Sequence, residues 1–304
     1  MRVAQLVDDL EYVNTNCWQH QLVEALQEHC QLDLFVLGKH RFDPQSYNVI
    51  LSTLKLRTLD TRRSNIKELI GDRQLLVYDQ DPWESFIDTA HYRGAYERIA
   101  QTLNVASFLT TSQHWVDRIV KTGLPSDLIR MWMLPRYCDE GTTWSDRPIK
   151  VGFKGTLHPY RRRYFEQLKQ LGVDVTVLPS GRYNEWLKDL STMQFFIHFE
   201  DDNPWSIDGK QIVKNCCWAK EIEVASRGCF TIREAEPEST AYFIGQIPSV
   251  LTYSDLSEVP ALIAGTLNDS SSNEKSRAGV EFVRARPAWQ DLFSMLTKHS
   301  RNAE

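Results

Sequence analysis

The sequence has little of what several function classes require. Nowhere does it contain the roughly 20 consecutive apolar residues of a membrane-spanning helix. Its start, MRVAQLVDDLEYV, puts Asp8, Asp9 and Glu11 where a secretory signal needs its apolar stretch, so the cytoplasm is the expected location. Six cysteines in 304 residues form no Cys-x-x-Cys pair, and Cys216 and Cys217 are adjacent, which argues against a disulfide framework or a zinc site. No metal-ligand cluster, Gly-x-Gly-x-x-Gly fingerprint or P-loop stands out, so neither a metal nor a tightly held dinucleotide is expected. Positive charge is not in excess either. Thirty-five Lys and Arg against 40 Asp and Glu leave a net charge of -5, which argues against a general polyanion binder; no nucleic-acid partner is expected. There is no fixed-period repeat.

Apolar residues make up 42% of the chain and charged residues 25%, the balance of a globular protein with a real core. Apolar runs alternate with helical patterns. RVAQLV, LDLFVL (Leu32–Leu37), YNVILST (Tyr47–Thr53), RQLLVYD (Arg73–Asp79) and ASFLTTS (Ala106–Ser112) read as strands, and DLIRMWML (Asp127–Leu134) closes the series. Helices are expected around Trp18–His29, Arg62–Ile70, Tyr92–Leu103 and His114–Lys121, the last closed by Gly123 and Pro125. The polar stretch EGTTWSDRP (Glu140–Pro148) reads as a linker. Beyond it the pattern restarts: VGF, VDVTVL, FFIHF (Phe195–Phe199), CFTI (Cys229–Ile232) and SVLTY (Ser249–Tyr253) read as strands. Helices are expected at Glu185–Leu190, near Val213–Ser226 and near Trp289–Lys298, with EDDNPWSIDGK (Glu200–Lys210) and NDSSSNEK (Asn268–Lys275) as loops. Continuous apolar strands alternating with helices specify α/β architecture with mostly parallel sheets. The expectation is two doubly wound, Rossmann-like domains, residues 1–145 and 146–304, facing across a cleft, with the terminal helix free to return to the first domain. Ligands in such sheets sit outside the carboxyl ends of the strands.

One junction concentrates positive charge at such an end. In VGFKGTLHPYRRRYFEQL a strand stops at Lys154-Gly155-Thr156, and His158 and Arg161–Arg163 open the next helix. A helix start offers free N–H groups, Gly155 admits a close ligand, and Lys154 and Arg161 supply cations; together these fit a pyrophosphate. The plain alternative is a solvated helix start, although cations there oppose the helix dipole. A second constellation is KEIEVASRGCFTI (Lys220–Ile232), where Glu223 and Arg227 lie four apart on a helix. A carboxylate at that place can accept hydrogen bonds from a ribose diol, or simply form a surface pair with Arg227.

The order of these pieces resembles a GT-B glycosyltransferase. GFKGTLHPYR, the helix ending in QLG, and VDVTVLPSG match the start of the donor half. KEIEVASRGCFTI is similar to the helix and strand of family-4-like and spore-coat-type enzymes, and Phe108–Asp139 resembles the passage from the acceptor half into the linker. The resemblance implies that Lys154 and Arg161, with Thr156 and His158 in the same loop, hold the donor diphosphate. It implies that Glu223 binds the nucleotide ribose, that Lys220 is the basic residue three before it, and that Glu238 is the acid after the last strand. Lys214 joins this donor set. Family-4 enzymes carry an acid eight residues before the helix glutamate; Asn215 stands there, with Asp208-Gly209 further upstream as a possible replacement. The usual Gly-Gly loop after the first strand is replaced by VDDLEYVNTNCWQH.

The implied reaction is transfer of a sugar from a nucleoside-diphosphate sugar to a carbohydrate, lipid-linked or small-molecule acceptor. It is expected to be metal-independent, to need no cofactor beyond the co-substrate, and to proceed with retention. Were the reaction inverting, the acceptor's proton would need a base, for which Asp9, His20 and Asp81 at strand ends of the first half are candidates. Asp81-Pro82-Trp83 joins an acid to an aromatic ring that could stack on a sugar. His198 reads as a core residue. Two other readings stay open: a sugar-nucleotide epimerase of the same architecture, and a non-catalytic two-lobed nucleotide- or glycan-binding protein.

Overall fold

Strands buried on both faces show no alternation of apolar and polar residues, and the runs RVAQLV, VILS and LLVY have that character. In the computed structural model they are β1 (Arg2–Val7), β3 (Val49–Ser52) and β4 (Leu75–Tyr78), the middle of a six-stranded parallel sheet. The structure describes residues 1–304 except 16, 40–42, 89–90, 180, 200–205, 212–218, 236–244, 288 and 302–304. The chain forms two units, Met1–Met131 with Asn203–Cys216 and Trp289–Glu304, and Trp132–Asp202 with Cys217–Ala288.

The sheet of the first unit runs β2-β1-β3-β4-β5-β6, where β2 is Gln31–Val36, β5 Val105–Thr110 and β6 Ser126–Leu128. Every neighbouring pair is parallel. The helices between them are α1 (Leu10–Thr15), α2 (Cys17–His29), α3 (Leu56–Thr61), α4 (Arg63–Ile70), α5 (Ala95–Thr102) and α6 (Gln113–Lys121). Leu6, Ile50, Leu75, Val77, Ile99 and Phe108 lie in its core. The sheet reverses its winding between β1 and β3, the place where doubly wound sheets open a crevice.

The second unit has a five-stranded sheet in the order β13-β12-β9-β7-β8. Its strands are β7 (Ile149–Lys154), β8 (Thr176–Leu178), β9 (Met193–Ile197), β12 (Phe230–Glu234) and β13 (Val250–Tyr253), all parallel. Counted within the unit this is the order second-first-third-fourth-fifth, the one the first unit begins with. Its switch point lies between β7 and β9. Helices α7 (Pro159–Gln170), α8 (Tyr183–Leu190), α9 (Ala219–Ser226), α10 (Val259–Asn268) and α11 (Ser272–Arg284) accompany it. A last helix, α12 (Gln290–Arg301), belongs to the first unit, where Trp289 packs edge-on against Tyr78 at 5.9 Å and Arg130 pairs with Asp291.

Several expectations need correction. The division falls at Met131–Trp132, not near residue 145. The supposed linker is anchored in the second unit: Trp144 is buried and its indole donates to the Gln194 carbonyl at 2.7 Å. Arg147, also buried, donates to the carbonyls of Thr142, Met193, Glu140 and Arg227. Polar composition concealed this because a buried guanidinium served by carbonyls looks like a surface residue in the sequence. The loop Glu200–Lys210 contains, among its described residues, a hairpin of β10 (Ser206–Ile207) and β11 (Lys210–Gln211). Asp208 and Gly209 at its turn both have positive φ, 53° and 72°, as an Asp-Gly two-residue turn requires. Asn268–Lys275 is not one loop, for α11 begins at Ser272. Neither α10 nor α11 was foreseen: Pro260 and Gly265 interrupt the first, and the second buries Ser272, Ser276 and Gly279 beside Val280 and Val283.

Candidate functional site

The carboxyl end of β7, at the switch point of the second unit, gathers most of the donor-side candidates. Lys154 is the last residue of the strand, 4% exposed, and its ammonium pairs with Asp189 of α8. Gly155 follows with φ 152°, and a Cβ there would come within 3.5 Å of the Lys220 Nζ and 3.2 Å of the Phe153 ring. Lys220, from α9, thus lies against this loop, and the positive φ of Gly155 and its close approach to Phe153 are what favour glycine there. The Arg161 guanidinium lies 5.3 Å from the centres of the Phe153 and Tyr160 rings and donates to the Thr156 carbonyl at 2.6 Å. Its Nε is buried with no partner among the described residues. His158 is the residue before α7, exposed, with its ring stacked on Tyr160. Thr156 is exposed beside it, as are Arg162 and Arg163.

Glu223 is 2% exposed, and its Oε2 accepts from the indole N–H of Trp186 at 2.8 Å. Arg227, its expected surface partner, turns elsewhere: its guanidinium donates to Ser191 Oγ and the Tyr137 carbonyl and lies 3.6 Å from Asp139. Trp186 and Asp189 stand three apart on α8, which places them on one face. That face therefore holds both Glu223 and Lys154. Nothing in the local sequence marks α8 for this part, since the contacts are made only by tertiary packing. Beside them, Glu221 and Arg233 form an ion pair with side chains 0% and 3% exposed.

Lys214 and Glu238 lie outside the described residues. Asp208 belongs to the first unit, where it pairs with Arg118 at 2.5 Å. The hairpin that carries it docks on Asp88, whose carboxylate accepts from Ser206 Oγ and from the N–H groups of Asp208 and Gly209. The Gly209 N–H and the Ser206 hydroxyl hold Asp88 below the ordinary carboxylate range.

The base candidates lie in the first unit. Asp9 is exposed after β1, with its carboxylate accepting from the Glu11 N–H. His20 pairs along α2 with Glu24 at 3.2 Å. Asp81 is exposed after β4, but Trp83 is buried in the core, so the neighbouring ring is not offered to a sugar. Sequence reasoning passed over Asp79, two residues earlier. It is buried, accepts from the Asp81 N–H and the Tyr96 hydroxyl, and burial pushes its carboxyl up from the usual value. Burial pushes Cys138 up to about 11 and Cys229 to about 12, so neither of these two thiols is poised to ionise near neutral pH. His198 is buried. Among the described residues no group of three or more metal-ligating side chains stands together, and no helix is long and apolar enough to cross a membrane.

No protein-family model and no curated protein matches the sequence. Solved structures do match the fold. An α-glucosyltransferase in complex with UDP-glucose and DNA containing an abasic site superposes with a TM-score of 0.67 at 10% identity, over 98% of this chain and 99% of that one. Sucrose-phosphate synthase from Thermosynechococcus elongatus gives 0.65 at 14% identity, over 99% and 98%. The DNA-modifying β-glucosyltransferase, solved in the presence and absence of uridine diphosphoglucose, gives 0.62 at 11% identity, over 98% and 100%. Two of these three act on or hold DNA, so the expectation that nucleic acid has no part does not stand. A net charge of -5 is an average over the whole chain and does not report local surface. Lys39, Lys55, Arg57 and Arg62 are exposed at the carboxyl-end side of β2 and β3. The chain has the GT-B fold, two Rossmann-like units of parallel sheet, shared with these three structures.

Proposed function

We propose that the protein transfers a sugar from a nucleoside-diphosphate sugar, with a uridine nucleotide as donor. The observation that carries this is the meeting of Lys154, Gly155, Lys220 and Arg161 at the carboxyl end of β7, where a doubly wound sheet receives its ligand. UDP in two of the relatives supports the choice of base. The hard step is departure of the diphosphate from the anomeric carbon. Cations fixed beside the leaving group stabilise the charge that develops on it, and fixed dipoles and charges of this kind need little rearrangement during reaction. Lys154, Lys220 and Arg161 fill that part from side chains, which favours a metal-independent mechanism. Glu223 is the proposed acceptor for the ribose hydroxyls; its burial and its hydrogen bond from Trp186 support a fixed carboxylate. The likeness of its helix to family-4 enzymes favours retention, in which the leaving phosphate takes the acceptor's proton. The free thiols of Cys30, Cys138 and Cys229 fit a reducing compartment, and the cytoplasm is the proposed one.

For the acceptor, the DNA of two relatives and the exposed Lys39, Lys55, Arg57 and Arg62 favour a polyanion engaged by the first unit. Thermal unfolding against UDP, GDP, dTDP, ADP and their sugars tests the donor. A ligand at 100 times its Kd stabilises by about 2.7 kcal/mol, and the uridine series is expected to raise Tm alone. No rise with any nucleotide overturns the reading. Release of UDP from UDP-glucose, with and without hydroxyl-bearing DNA at low and high salt, then tests the acceptor; a rate indifferent to DNA rejects the polyanion.

A further inference from the structure

Lys154 is enclosed. Its side chain is 5% exposed, its ammonium is taken by Asp189, and the loop at Gly181 lies over it. A Cβ at Gly181 would sit 3.2 Å from the Lys154 Nζ and 2.3 Å from Glu185 Oε2, so this backbone lies close against the ammonium. Asp189 is the wetter partner, 31% exposed. A phosphate oxygen therefore reaches the ammonium from the side the Asp189 carboxylate now covers, and the carboxylate is the group with water to turn into. We propose that Asp189 is a positioning residue that competes with the donor's diphosphate for Lys154, being exchanged for phosphate oxygens when a donor enters.

This rests on the donor reading above and deepens it. The electrostatics favour the exchange. A diphosphate brings at least two negative charges to a site that also holds Lys220 and Arg161, whereas Asp189 brings one. Buried lysine needs a partner at all times, because an isolated ammonium in a low-dielectric surround is costly. Asp189 supplies that partner and fixes the position of Nζ beside Gly181. The same helix face holds Glu223 through Trp186, so α8 fixes both the phosphate-side and the ribose-side groups.

The test uses the full-length protein with inorganic pyrophosphate and UDP as separate probes, by calorimetry. Asp189→Asn removes the competing charge and is expected to bind both more tightly, by about tenfold, equivalent to about 1.4 kcal/mol. In a Lys154→Met background the same change is expected to give no gain, which a purely general charge effect would not do. Unchanged or weaker binding by Asp189→Asn, with a lowered Tm, would show the pair to be structural only and overturn the proposal. A measurement on the wild type covers the case in which the variant does not fold. With aspartate side chains labelled at 13Cγ, the Asp189 carboxylate signal is expected to shift on adding pyrophosphate, and an unmoved signal at saturation counts against exchange. The two readings separate cleanly. A gain for pyrophosphate with no preference for UDP keeps the exchange and removes the nucleotide; tight UDP binding with no effect of Asp189→Asn does the reverse.

Discussion

The indole N–H of Trp186 donates to Oε2 of Glu223 at 2.8 Å, inside the second unit, where the glutamate is 2% exposed. A carboxylate so placed relies on its donors. Trp186→Phe keeps an aromatic ring, though a smaller one, and removes the N–H, and is expected to cost at least about 1–3 kcal/mol in denaturant unfolding. If Glu223 meets a ribose, the variant also loses preference for UDP over its 2′,3′-dideoxy analogue. A variant as stable as the wild type would mean the hydrogen bond contributes nothing.

The ion pair of Glu221 and Arg233 lies between α9 and β12 with both side chains almost wholly buried. Breaking such a pair leaves one uncompensated charge. Glu221→Gln and Arg233→Met are each expected to destabilise by about 3–5 kcal/mol, while Glu221→Leu with Arg233→Met together is expected to recover much of that loss. Additive losses in the double variant would contradict this account.

Arg147 serves four carbonyls, and it secures residues 140–147 to β9 and to the end of α9. Arg147→Met is expected to cost about 3 kcal/mol or more, because buried acceptors lose their donors. Arg147→Lys should rescue little, since a single ammonium cannot reproduce the planar fork. Chemical denaturation of the two variants beside the wild type measures both.

Burial raises the Asp79 carboxyl above its ordinary value. A raised acid favours its protonated form in the fold, so its contribution to stability is full at pH below the unfolded value, near 3.8, and is lost as pH rises through the folded one. In that window the wild type is expected to lose up to about 1.4 kcal/mol per pH unit relative to Asp79→Asn, which cannot titrate. Parallel stability curves for the two proteins would refute the assignment.

Asp88 is the anchor of the hairpin that returns from between the strands of the second unit to the first. Asp88→Ala removes three acceptor contacts while leaving the sheets intact. Trypsin is expected to cut after Lys210 faster in the variant, with global Tm little changed. Equal cleavage rates would show that the hairpin is held by something else.

The strands were legible because a parallel sheet covered on both faces writes itself as continuous apolar runs, and RVAQLV lies at Arg2–Val7 as read. The glycine and cations at the β7–α7 junction were legible for a similar reason: they follow one another along the chain. What could not be read were relations made across it. Asp189 and Trp186 belong to an unremarkable short helix until Lys154 and Glu223 are brought against them. Helix α11 escaped because its inward face is built of serine and glycine, residues whose fit is decided by how closely a neighbour approaches. At Gly279, a Cβ would come within 2.5 Å of Ser249 Oγ. Asp208-Gly209 reads as a replacement for the acid missing at Asn215; that these two residues form the turn of a hairpin tied to Asp88 was not legible, because the tie is made across the chain.

The first unit is assembled from three separate pieces of chain, the last beginning at Trp289, which is 1% exposed and packs against Tyr78. Synthesis therefore cannot finish the first domain first. At about 5–20 residues per second, the 157 residues between Met131 and Trp289 take about 8–30 seconds to emerge. Through that interval the nascent chain carries a sheet whose tryptophan plug has not yet been made. Trp18 already packs on the Tyr78 ring at 5.0 Å, but the contact from Trp289 is missing until then. Stretches of rare codons after residue 131 would lengthen that interval and lower the yield of folded protein, without changing a single amino acid.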